Sequence, residues 1–411
     1  MNGAKEKVNL LAEKNIILGV TGGIAAYKAA DLASYLTQLG AKVHVILTKS
    51  AQEFISPLTF SALTGLPAAG DLFSADYGPL KHIELATAAD AFLIAPATAN
   101  VIGKLAAGLA DDLLTTTALA VTCPRLLAPA MNANMYAQQV VQENIALLCR
   151  RGWELIAPEA GRMACGAVGL GRLADKDKIV AFLRRSLGRK DLAGLKILVT
   201  AGGTREPLDP VRYLGNRSSG RMGYALAQVA WERSGEVILI SGPTALVPPY
   251  GVRFIPVTTA QEMYEAVMDI FPEADIVVKA AAVADFRPAN QAKEKIKKEE
   301  HEMLVLNLEP TPDILAALGR KKTRQILAGF AAETQDLLAN AKEKLKAKNL
   351  DLIVANDVSR RGVGFESDTN IVTLLFADGR QENLPEMDKY DVAHAVWDAI
   401  CSLPRFASLK K

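Results

Sequence analysis

Apolar residues recur along the first half of the chain with two alternating periods, which predicts a mixed α/β fold. Short apolar or β-branched runs predict strands at 16–20, 43–48, 91–95 and 125–130. Residues after Gly23 keep a helical period of about 3.6, and Gly40 predicts the end of that helix: the apolar positions are Ile24, Tyr27, Leu32, Tyr35, Leu36 and Leu39. Strands that alternate with helices predict a mostly parallel, doubly wound sheet. Ligands of such a sheet bind beyond the carboxyl ends of its strands.

The same alternation restarts after a polar, basic junction, so we predict two doubly wound domains, 1–190 and 191–411. A helix at 175–187 precedes the junction. Strands are predicted at 196–200, 237–240, 275–279, 325–329 and 352–355, followed by a β-ribbon at 370–376 and 381–384 and a last helix at 388–402. The helix after Ser219 should bury one face, formed by Met222, Leu226, Val229 and Ala230.

Two stretches break this pattern. The segment 158–173 is rich in glycine and has no clear period, so we expect a mobile loop. The segment 285–302 is highly charged with little apolar content, which indicates an exposed loop or flap.

The composition mainly excludes classes of ligand, site and location. The 47 basic and 45 acidic residues nearly balance, and no basic stripe is interleaved with aromatics, so a nucleic-acid ligand is not expected. The four cysteines are irregularly spaced without a C-x-x-C pair, which argues against a disulfide framework or zinc site and favours a reducing cytosol. No apolar run has the length of a membrane span, and charges interrupt any signal peptide, so we expect a cytoplasmic protein.

Two glycine-rich strand-to-helix turns, at 17–28 and 197–223, are the strongest local signals. Such turns present backbone N–H groups and a helix N-terminus to a phosphate. Neither contains G-x-G-x-x-G, so a dinucleotide is not the default ligand. Polar residues follow the neighbouring strands of the first half and should converge with its turn on one crevice; these are Thr48, Ser50, Thr98, Asn100 and the 130–132 segment. Each one taken alone is as well explained as a helix N-cap.

The second turn carries several candidate ligands for phosphate or carboxylate, since arginine offers forked donors: Arg205, Arg212, Asn216, Arg217, Ser218, Ser219 and Arg221. A solvated arginine loop is the alternative. Lys295, Lys297 and Lys298 in the charged stretch are either a solvated face or a flap over a phosphate site.

Three residues of the first half could act chemically. His82 has a side chain suited to proton transfer near neutrality, although a lone histidine is more often a packed or solvent-facing residue. Asn132 follows a strand and could bind a substrate carboxylate or cap a helix. Cys165 lies in the glycine-rich segment, where an exposed thiol is a candidate acid, base or nucleophile rather than a buried apolar residue.

These residues resemble two known families, in order along nearly the whole chain. GVTGGIAAYK, the segment around His82, APATAN, PAMNANM and the ACG loop resemble the FMN-dependent cysteine decarboxylases. VTAGGTREPLDPVRYLGNRSSGRMG, AAAVADFRP, EKIKK, GFAAET and ANDV resemble the CTP-dependent phosphopantothenate–cysteine ligases. The fusion is similar to the bifunctional enzymes of bacterial coenzyme A synthesis. Leu173 after GLGR departs from the family, which often has methionine there, but it leaves Cys165 in place.

The resemblance implies that the second half acts first, as a Rossmann-like ligase domain. CTP with Mg²⁺ would convert the 4′-phosphopantothenate carboxylate into an acyl-cytidylate, and the amine of cysteine would then displace CMP. Asn216 would hold the acyl-cytidylate, and Lys295 would stabilise the triphosphate charge. The remaining CTP residues implied are Lys279, Ala280, Ala281, Asp285, Pro312, Asp313, Ile314, Leu315, Phe330, Lys344 and Lys348. The resemblance assigns no metal ligands.

The resemblance also implies that the first half is a flavodoxin-like FMN domain that decarboxylates the ligase product to 4′-phosphopantetheine. The flavin residues implied are Gly22, Gly23, Ile24, Thr48, Ser50, Thr98, Asn100 and Ala130. His82 would act in the oxidative half, Asn132 would bind the carboxylate, and Cys165 would donate the proton during re-reduction. Homo-oligomers are implied as well, with trimeric decarboxylase units near whose interface the flavin lies, dimeric ligase units, and a dodecamer as one arrangement that satisfies both.

Two alternatives remain at this point. One is a two-domain NAD(P)-dependent reductase, against which stand the missing G-x-G-x-x-G and the lack of an evident ribose-binding acid. The other is a flavin-binding regulatory protein, since a fold alone does not prove catalysis. The presence of His82, Asn132 and Cys165 favours an enzyme.

Overall fold

The computed structural model describes residues 8–72, 80–162, 166, 168–297, 304–333, 337–357 and 369–410. The chain divides into two compact units, one formed by Asn9–Gly188 and the other containing Arg189–Lys411. Each unit has its own sheet, and each is described by itself.

The first unit alternates strands and helices as its periodicity predicts. Its elements are β1 (Asn15–Val20), α1 (Ala26–Gln38), β2 (Lys42–Leu47), α2 (Lys49–Gln52), α3 (Pro57–Thr64), α4 (Lys81–Ala88), β3 (Ala91–Ala97), α5 (Ala99–Ala107), α6 (Leu113–Ala120), β4 (Arg125–Pro129), α7 (Ala133–Ala137), α8 (Gln139–Arg150), β5 (Trp153–Leu155), β6 (Glu159–Arg162), β7 (Val168–Arg172) and α9 (Lys176–Leu187). The main sheet is parallel with the order β2-β1-β3-β4-β5. This is the flavodoxin-like order, which confirms the predicted fold class.

Both faces of this sheet are buried, because side chains of successive strand residues point to opposite faces. Ile16 and Leu18 of β1 join the core under α1 and α9, whereas Ile17 joins the core under α5, α6 and α8. β3 is buried along its whole length. The doubly covered sheet therefore leaves its ligands only the strand ends.

Two details of the first unit differ from the sequence prediction. The segment 158–173 is not a simple loop, because β6 and β7 pair as an antiparallel hairpin. Ile24 and Tyr27 keep the helical period but are each 60% exposed, so they do not belong to the buried face of α1.

The second unit carries the larger sheet. Its elements are β8 (Lys196–Ala201), β9 (Arg205–Pro207), β10 (Tyr213–Gly215), α10 (Arg221–Glu232), β11 (Glu236–Ser241), β12 (Arg253–Pro256), α11 (Ala260–Ile270), β13 (Ile276–Lys279), β14 (Phe286–Pro288), β15 (Leu308–Pro310), α12 (Ile314–Lys321), β16 (Ile326–Glu333), α13 (Leu337–Ala347), β17 (Leu352–Asp357), β18 (Thr369–Asn370), β19 (Val372–Phe376), β20 (Gln381–Asn383), β21 (Met387–Asp388), α14 (Lys389–Cys401) and α15 (Pro404–Leu409). The sheet order is β12-β11-β8-β13-β16-β17-β19-β20. The first six strands are parallel in the Rossmann order, and β19 and β20 extend them antiparallel.

Several local features of this unit go beyond the prediction. β12 was not predicted, and the predicted ribbon strand 370–376 is divided between β18, which pairs with β21, and β19, which pairs with β20. The charged stretch contains β14, which pairs with β15, and its residues 298–302, with Lys298 among them, lie outside the described part of the chain. Met222 is half-buried, while the other three residues predicted for the buried face of α10 are buried.

Among the residues that the structure describes, no helix combines the length and the apolar character needed to cross a membrane.

Candidate functional site

A pocket of about 930 Å³ opens at the carboxyl ends of β1, β2, β3 and β4. The residues predicted to bind the flavin all line it, namely Gly22, Gly23, Ile24, Thr48, Ser50, Thr98, Asn100 and Ala130. Asn132 lines it as well. The fold therefore brings together residues that are more than 100 positions apart in the sequence.

The first turn is held tightly against the segment that follows β2. A Cβ added at Gly22 would lie 2.3 Å from Cβ of Ser50 and 2.8 Å from its carbonyl oxygen. A Cβ added at Gly23 would meet only Cγ2 of Thr98, at 3.8 Å, among the described atoms. Gly22 is thus needed for packing of the pocket wall, whereas Gly23 faces more open space.

Two helix N-termini point toward this pocket without a side-chain cap among the described residues. The N-cap of α1 is Ala25, and the N-cap of α5 is Thr98, whose hydroxyl does not cap its own helix. Neither helix has an acidic residue in its first turn. Uncapped N–H groups at a helix start are a favourable site for an anion such as a phosphate.

For two of the predicted ligands the helix-cap interpretation also holds. The Thr48 hydroxyl accepts a hydrogen bond from the N–H of Ala51 at 3.3 Å. Oδ1 of Asn132 accepts one from the N–H of Asn134 at 2.9 Å. These residues are therefore fixed in position by the starts of α2 and α7 while they line the pocket.

Basic residues on the pocket wall were not predicted from the sequence, namely Lys28, Lys49, Lys104, Arg162 and Arg172. Nζ of Lys104 lies 2.7 Å from Oδ1 of Asp111, and the hydrogen bond from this ammonium to Asp111 raises the pKa of Lys104 above its ordinary value. The sequence does not indicate these five basic residues as ligands, because each is an isolated cation on its own helix or strand. Asp111 and Asp112 also line the pocket and pair with Lys104, so the other four basic residues and the helix N-termini are what favour an anionic ligand.

The β6–β7 hairpin closes one side of the pocket. The N–H of Met131 donates to the carbonyl oxygen of Gly171 at 3.0 Å. A Cβ at Gly171 would lie only 2.2 Å from the Met131 carbonyl oxygen, so β7 packs directly on the segment that carries Asn132. Arg162 and Gly171, on the two arms of the hairpin, both line the pocket. Cys165 follows Arg162 and precedes β7 in the sequence, and it lies outside the described residues.

His82 is not brought to the pocket within this chain. It is the second residue of α4, is half-buried, and is not among the described residues that line the cavity. Among the predicted residues of the first unit that the structure describes, His82 is the one that does not line the pocket.

In the second unit, the glycine-rich turn forms a cavity of about 310 Å³ at the carboxyl end of β8. Its lining is Gly203, Thr204, Arg205, Tyr213, Gly215, Asn216, Arg217, Ser218 and Pro243. Nδ2 of Asn216 donates to the carbonyl oxygen of Val283 at 2.9 Å. The guanidinium of Arg205 stacks over the Tyr213 ring at 4.6 Å. The amide and the arginines fit a ligand with a carboxylate or phosphate.

Five of the six charged side chains predicted to bind CTP interact with one another electrostatically, and Lys295 is not among them; the five are Lys279, Asp285, Asp313, Lys344 and Lys348. Nζ of Lys348 lies 2.8 Å from Oδ2 of Asp313. Asp313 also caps α12, because its Oδ1 accepts the N–H of Ala316 at 3.0 Å. Burial alone would raise the pKa of Asp313, but the ammonium of Lys348 and the Ala316 N–H outweigh it and lower that pKa.

The pKa of the Lys279 amine is strongly lowered. Burial is the largest cause, and the neighbouring charges of Lys344 and Lys348 add to it, so its pKa falls to about 8, although Asp313 and Asp285 oppose the change.

The other predicted CTP residues fall into two groups. The backbone N–H groups of Ala280 and Ala281 donate to Thr200, at 3.2 Å each, which fixes the end of β13.

The side chains of Ile314 and Leu315 belong to the core, so only the backbone of these residues is available to a ligand. Pro312 precedes them, and Phe330 is half-buried on β16.

Lys295 is exposed, and the segment that carries it is held by a carboxylate that sequence reasoning missed. Oδ2 of Asp209 accepts the N–H of Ile296 at 3.2 Å, and the Arg212 guanidinium donates both to Asp209 and to the carbonyl oxygen of Ile296. Burial would raise the pKa of Asp209, but the N–H groups of Val211, Arg212 and Ile296 and the Arg212 side chain hold it far below its ordinary value. Asp209 gave no signal in the sequence because its partners are set by the turn and by a distant segment.

Within the described part of the chain, no group of three or more His, Cys, Asp or Glu side chains is placed to hold a metal ion.

Comparison with known proteins decides the family. Residues 192–403 match the family described as DNA/pantothenate metabolism flavoprotein C-terminal domain, and residues 5–188 match the family described as Flavoprotein. The chain is 50% identical over 402 residues to the coenzyme A biosynthesis bifunctional protein CoaBC of Bacillus subtilis, covering 96% of this chain and 98% of that one. This chain belongs to the CoaBC family.

A second CoaBC relative agrees. The protein of Vibrio vulnificus strain CMCP6 is 48% identical over 374 residues, which cover 90% of this chain and 93% of that protein. A crystal structure of the C-terminal domain of a CoaBC protein aligns with a TM-score of 0.45 and 45% identity over 51% of this chain and 96% of that chain. Membership of the CoaBC family confirms the resemblance found in the sequence and goes against the NAD(P)-dependent reductase and the regulatory flavoprotein.

Proposed function

We propose that the chain catalyses two consecutive steps of coenzyme A synthesis. Residues 191–411 ligate cysteine to 4′-phosphopantothenate with CTP, and residues 1–190 then decarboxylate the product to 4′-phosphopantetheine. The observation that carries the proposal is that a CoaBC relative aligns over 96% of the chain, while each half places its glycine-rich turn at a cavity beyond the strand ends.

The first pocket fits FMN. Its two uncapped helix starts and its lysines suit the phosphate, and the side chains of Ile24, Met131 and Leu173 give apolar surface for a flat ring. When bound there, FMN would supply a reversible two-electron acceptor for the cysteine-derived thiol. Gly22, Gly23, Thr48, Ser50, Thr98, Asn100 and Ala130 would hold it.

The residues around that ring would orient the substrate. Asn132, fixed by its cap on Asn134, would present its amide to the substrate carboxylate. The β6–β7 hairpin would cover the substrate and exclude water, with Arg162 and Arg172 adding positive charge. Cys165 would donate a proton to the substrate carbon that remains after CO₂ leaves.

His82 would act from a neighbouring copy of the chain or at the border between copies. This proposal is supported by its position outside the single-chain pocket and by the exposure of Ile24 and Tyr27 on the pocket rim. We therefore propose a homo-oligomer, with trimeric decarboxylase units and dimeric ligase units, for which a dodecamer satisfies both symmetries. A cytoplasmic location fits these small-molecule substrates.

The second unit would perform acyl activation. A carboxylate oxygen of 4′-phosphopantothenate would attack the α-phosphorus of CTP and displace pyrophosphate, and the cysteine amine would then attack the acyl carbon and displace CMP. Mg²⁺ would neutralise part of the triphosphate charge. Asn216 would hold the acyl-cytidylate, and the charged cluster of Lys279, Asp285, Asp313, Lys344 and Lys348 would bind the nucleotide. The backbone at 279–281 and 312–315, with Phe330, would line the base and ribose. Lys295, on the segment anchored by Asp209, would approach the triphosphate.

The proposal is tested with one variant in each half, supplied with 4′-phosphopantothenate, cysteine, CTP and Mg²⁺. Cys165→Ser should release CMP at the wild-type rate but stop before 4′-phosphopantetheine. Asn216→Ala should release no CMP, yet decarboxylate added phosphopantothenoylcysteine at the wild-type rate. Cys149→Ser, an exposed cysteine of α8, is the matched control. Wild-type formation of 4′-phosphopantetheine by Cys165→Ser would disprove the role of Cys165, and loss of both reactions in both variants would disprove the division of labour.

A further inference from the structure

The cavity of about 310 Å³ at the carboxyl end of β8 has a positively charged lining. Arg205 and Arg217 line it, and none of the described residues that line it is an aspartate or a glutamate. Within the described part of the chain, neither guanidinium is paired with a carboxylate. A phosphate monoester carries nearly two negative charges at neutral pH, so the two cations match its charge.

The other two arginines predicted as ligands of the second turn differ from this pair. The guanidinium of Arg212 lies 2.7 Å from Oδ2 of Asp209 and is thereby neutralised. Arg221 is the first residue of α10 and is not among the described residues that line the cavity. The structure therefore separates Arg205 and Arg217 from the four arginines of the turn as the ones available to an anion.

Arg205 is positioned by an aromatic ring and not by a carboxylate. Its Cζ lies over the Tyr213 ring, 4.6 Å from the ring centroid. This contact uses the face of the ring, and among the described residues the Arg205 side chain donates no hydrogen bond. Its N–H groups thus remain available for the forked pair of hydrogen bonds that a guanidinium makes to a phosphate.

The backbone that carries Arg205 is fixed on both sides. Arg205 of β9 is in register with Gly215 of β10, and a Cβ added at Gly215 would lie 2.5 Å from the carbonyl oxygen of Thr204. Glu206, the next residue, is buried, and its Oε1 accepts the N–H of Ala260 at the start of α11 at 2.9 Å. A side chain on such a backbone loses less freedom when a ligand binds, which favours binding.

The lining also indicates which phosphate the cavity takes. Both 4′-phosphopantothenate and CTP carry phosphate, but none of the described residues predicted to bind CTP lines this cavity. Asn216, which would hold the acyl-cytidylate, does line it, and its Nδ2 donates to the carbonyl oxygen of Val283 at 2.9 Å. The cavity therefore fits the acyl substrate better than the triphosphate.

We propose that Arg205 binds the phosphate of 4′-phosphopantothenate and selects this substrate over unphosphorylated pantothenate. Tyr213 is the positioning residue for the Arg205 guanidinium, and Arg217 supplies the second positive charge. This inference rests on the proposed function, because it assumes that the second unit activates 4′-phosphopantothenate.

The experiment measures CMP release by the full-length protein with CTP, Mg²⁺ and cysteine. The acyl substrate is 4′-phosphopantothenate or pantothenate, and pantothenate is also tested as a competitive inhibitor of the phosphorylated substrate. Arg205→Met should raise the KM for 4′-phosphopantothenate about 10- to 100-fold, the loss expected for a charge-assisted pair of hydrogen bonds. The KM for CTP and the response to pantothenate should not change. Arg253→Met removes an exposed arginine of β12 and is the matched control.

Three further variants test how Arg205 is held. Arg205→Lys keeps the charge without the fork, so its KM for 4′-phosphopantothenate should lie between those of the wild type and Arg205→Met. Tyr213→Leu should raise the same KM about 2- to 5-fold, the effect of losing an exposed cation–π contact. Tyr213→Phe keeps the ring and should behave as the wild type.

The outcomes separate the possibilities. A rise in KM confined to 4′-phosphopantothenate supports the proposal. An unchanged KM in Arg205→Met, equal losses with both acyl substrates, or a rise confined to the KM for CTP overturns it and leaves the proposed function intact. A wild type that does not prefer 4′-phosphopantothenate to pantothenate also overturns it. A wild type that releases no CMP with either acyl substrate overturns the proposed function as well.

Discussion

Replacement of Gly22 by alanine tests whether the first pocket depends on close packing of its glycine-rich turn. The added methyl group would lie 2.3 Å from Cβ of Ser50 and 2.7 Å from its carbonyl carbon, where ordinary contacts begin near 3.4 Å. Gly22 is not among the glycines with positive φ, so the strain is steric and does not come from the backbone conformation. Because the contact includes backbone, the turn and the start of α2 must separate, at a cost of about 1–3 kcal/mol.

The assay is urea unfolding of the apoprotein, followed by the flavin absorbance of protein purified with excess FMN. We expect Gly22→Ala to lower the free energy of unfolding by that amount and to reduce flavin content sharply. Gly23→Ala is the matched control, since its methyl group would meet only Thr98 among the described atoms, at 3.8 Å. It should unfold like the wild type, and any loss of flavin in it would report direct crowding of the ligand. Wild-type stability and flavin content in Gly22→Ala would refute this account of the pocket.

Three further predictions concern substitutions of single residues. Gly171→Ala places a methyl group 2.2 Å from the Met131 carbonyl oxygen, so CO₂ release should fall at least about 10-fold while CMP release is unchanged, as measured by the two product assays. Asp209→Asn should raise the KM for CTP, because it loosens the segment that carries Lys295. The pKa of Asp209 is lowered in the folded protein, so the wild type should have a higher free energy of unfolding than this variant above about pH 4. This advantage should disappear progressively as the pH falls below about 4. Lys279→Met should increase the free energy of unfolding at pH 7 by up to about 3 kcal/mol, the equivalent of a pKa lowered from 10.5 to about 8. Between pH 8 and 10 the unfolded chain binds more protons than the folded protein, so the free energy of unfolding of the wild type rises with pH. The difference in free energy of unfolding between Lys279→Met and the wild type should therefore narrow in urea unfolding at pH 9 and 10.

The two sheets could be predicted because their strands are continuous apolar runs that end at glycine or polar residues. β1, β8 and β11 begin and end within a residue or two of the predicted bounds. The convergence of Thr48, Thr98 and Asn132 on one pocket follows from a rule of parallel sheets and not from any property of the single residues.

Features that depend on distant partners could not be predicted. The β6–β7 hairpin has glycines where strands usually have β-branched residues, and it is held partly by its contact with Met131. β12 is only four residues long and none of them is fully buried, so its pattern is weak. The environment of Lys279 is formed by residues from α12 and α13, which the local sequence does not reveal.

The most direct test of the central claim is the ratio of the two products formed by the wild-type protein. Loaded with FMN and given 4′-phosphopantothenate, cysteine, CTP and Mg²⁺, the protein should release CMP first and CO₂ after a lag, and the two should then reach equal amounts. CMP without CO₂ would confine activity to the second unit and contradict the assignment of two consecutive reactions to one chain.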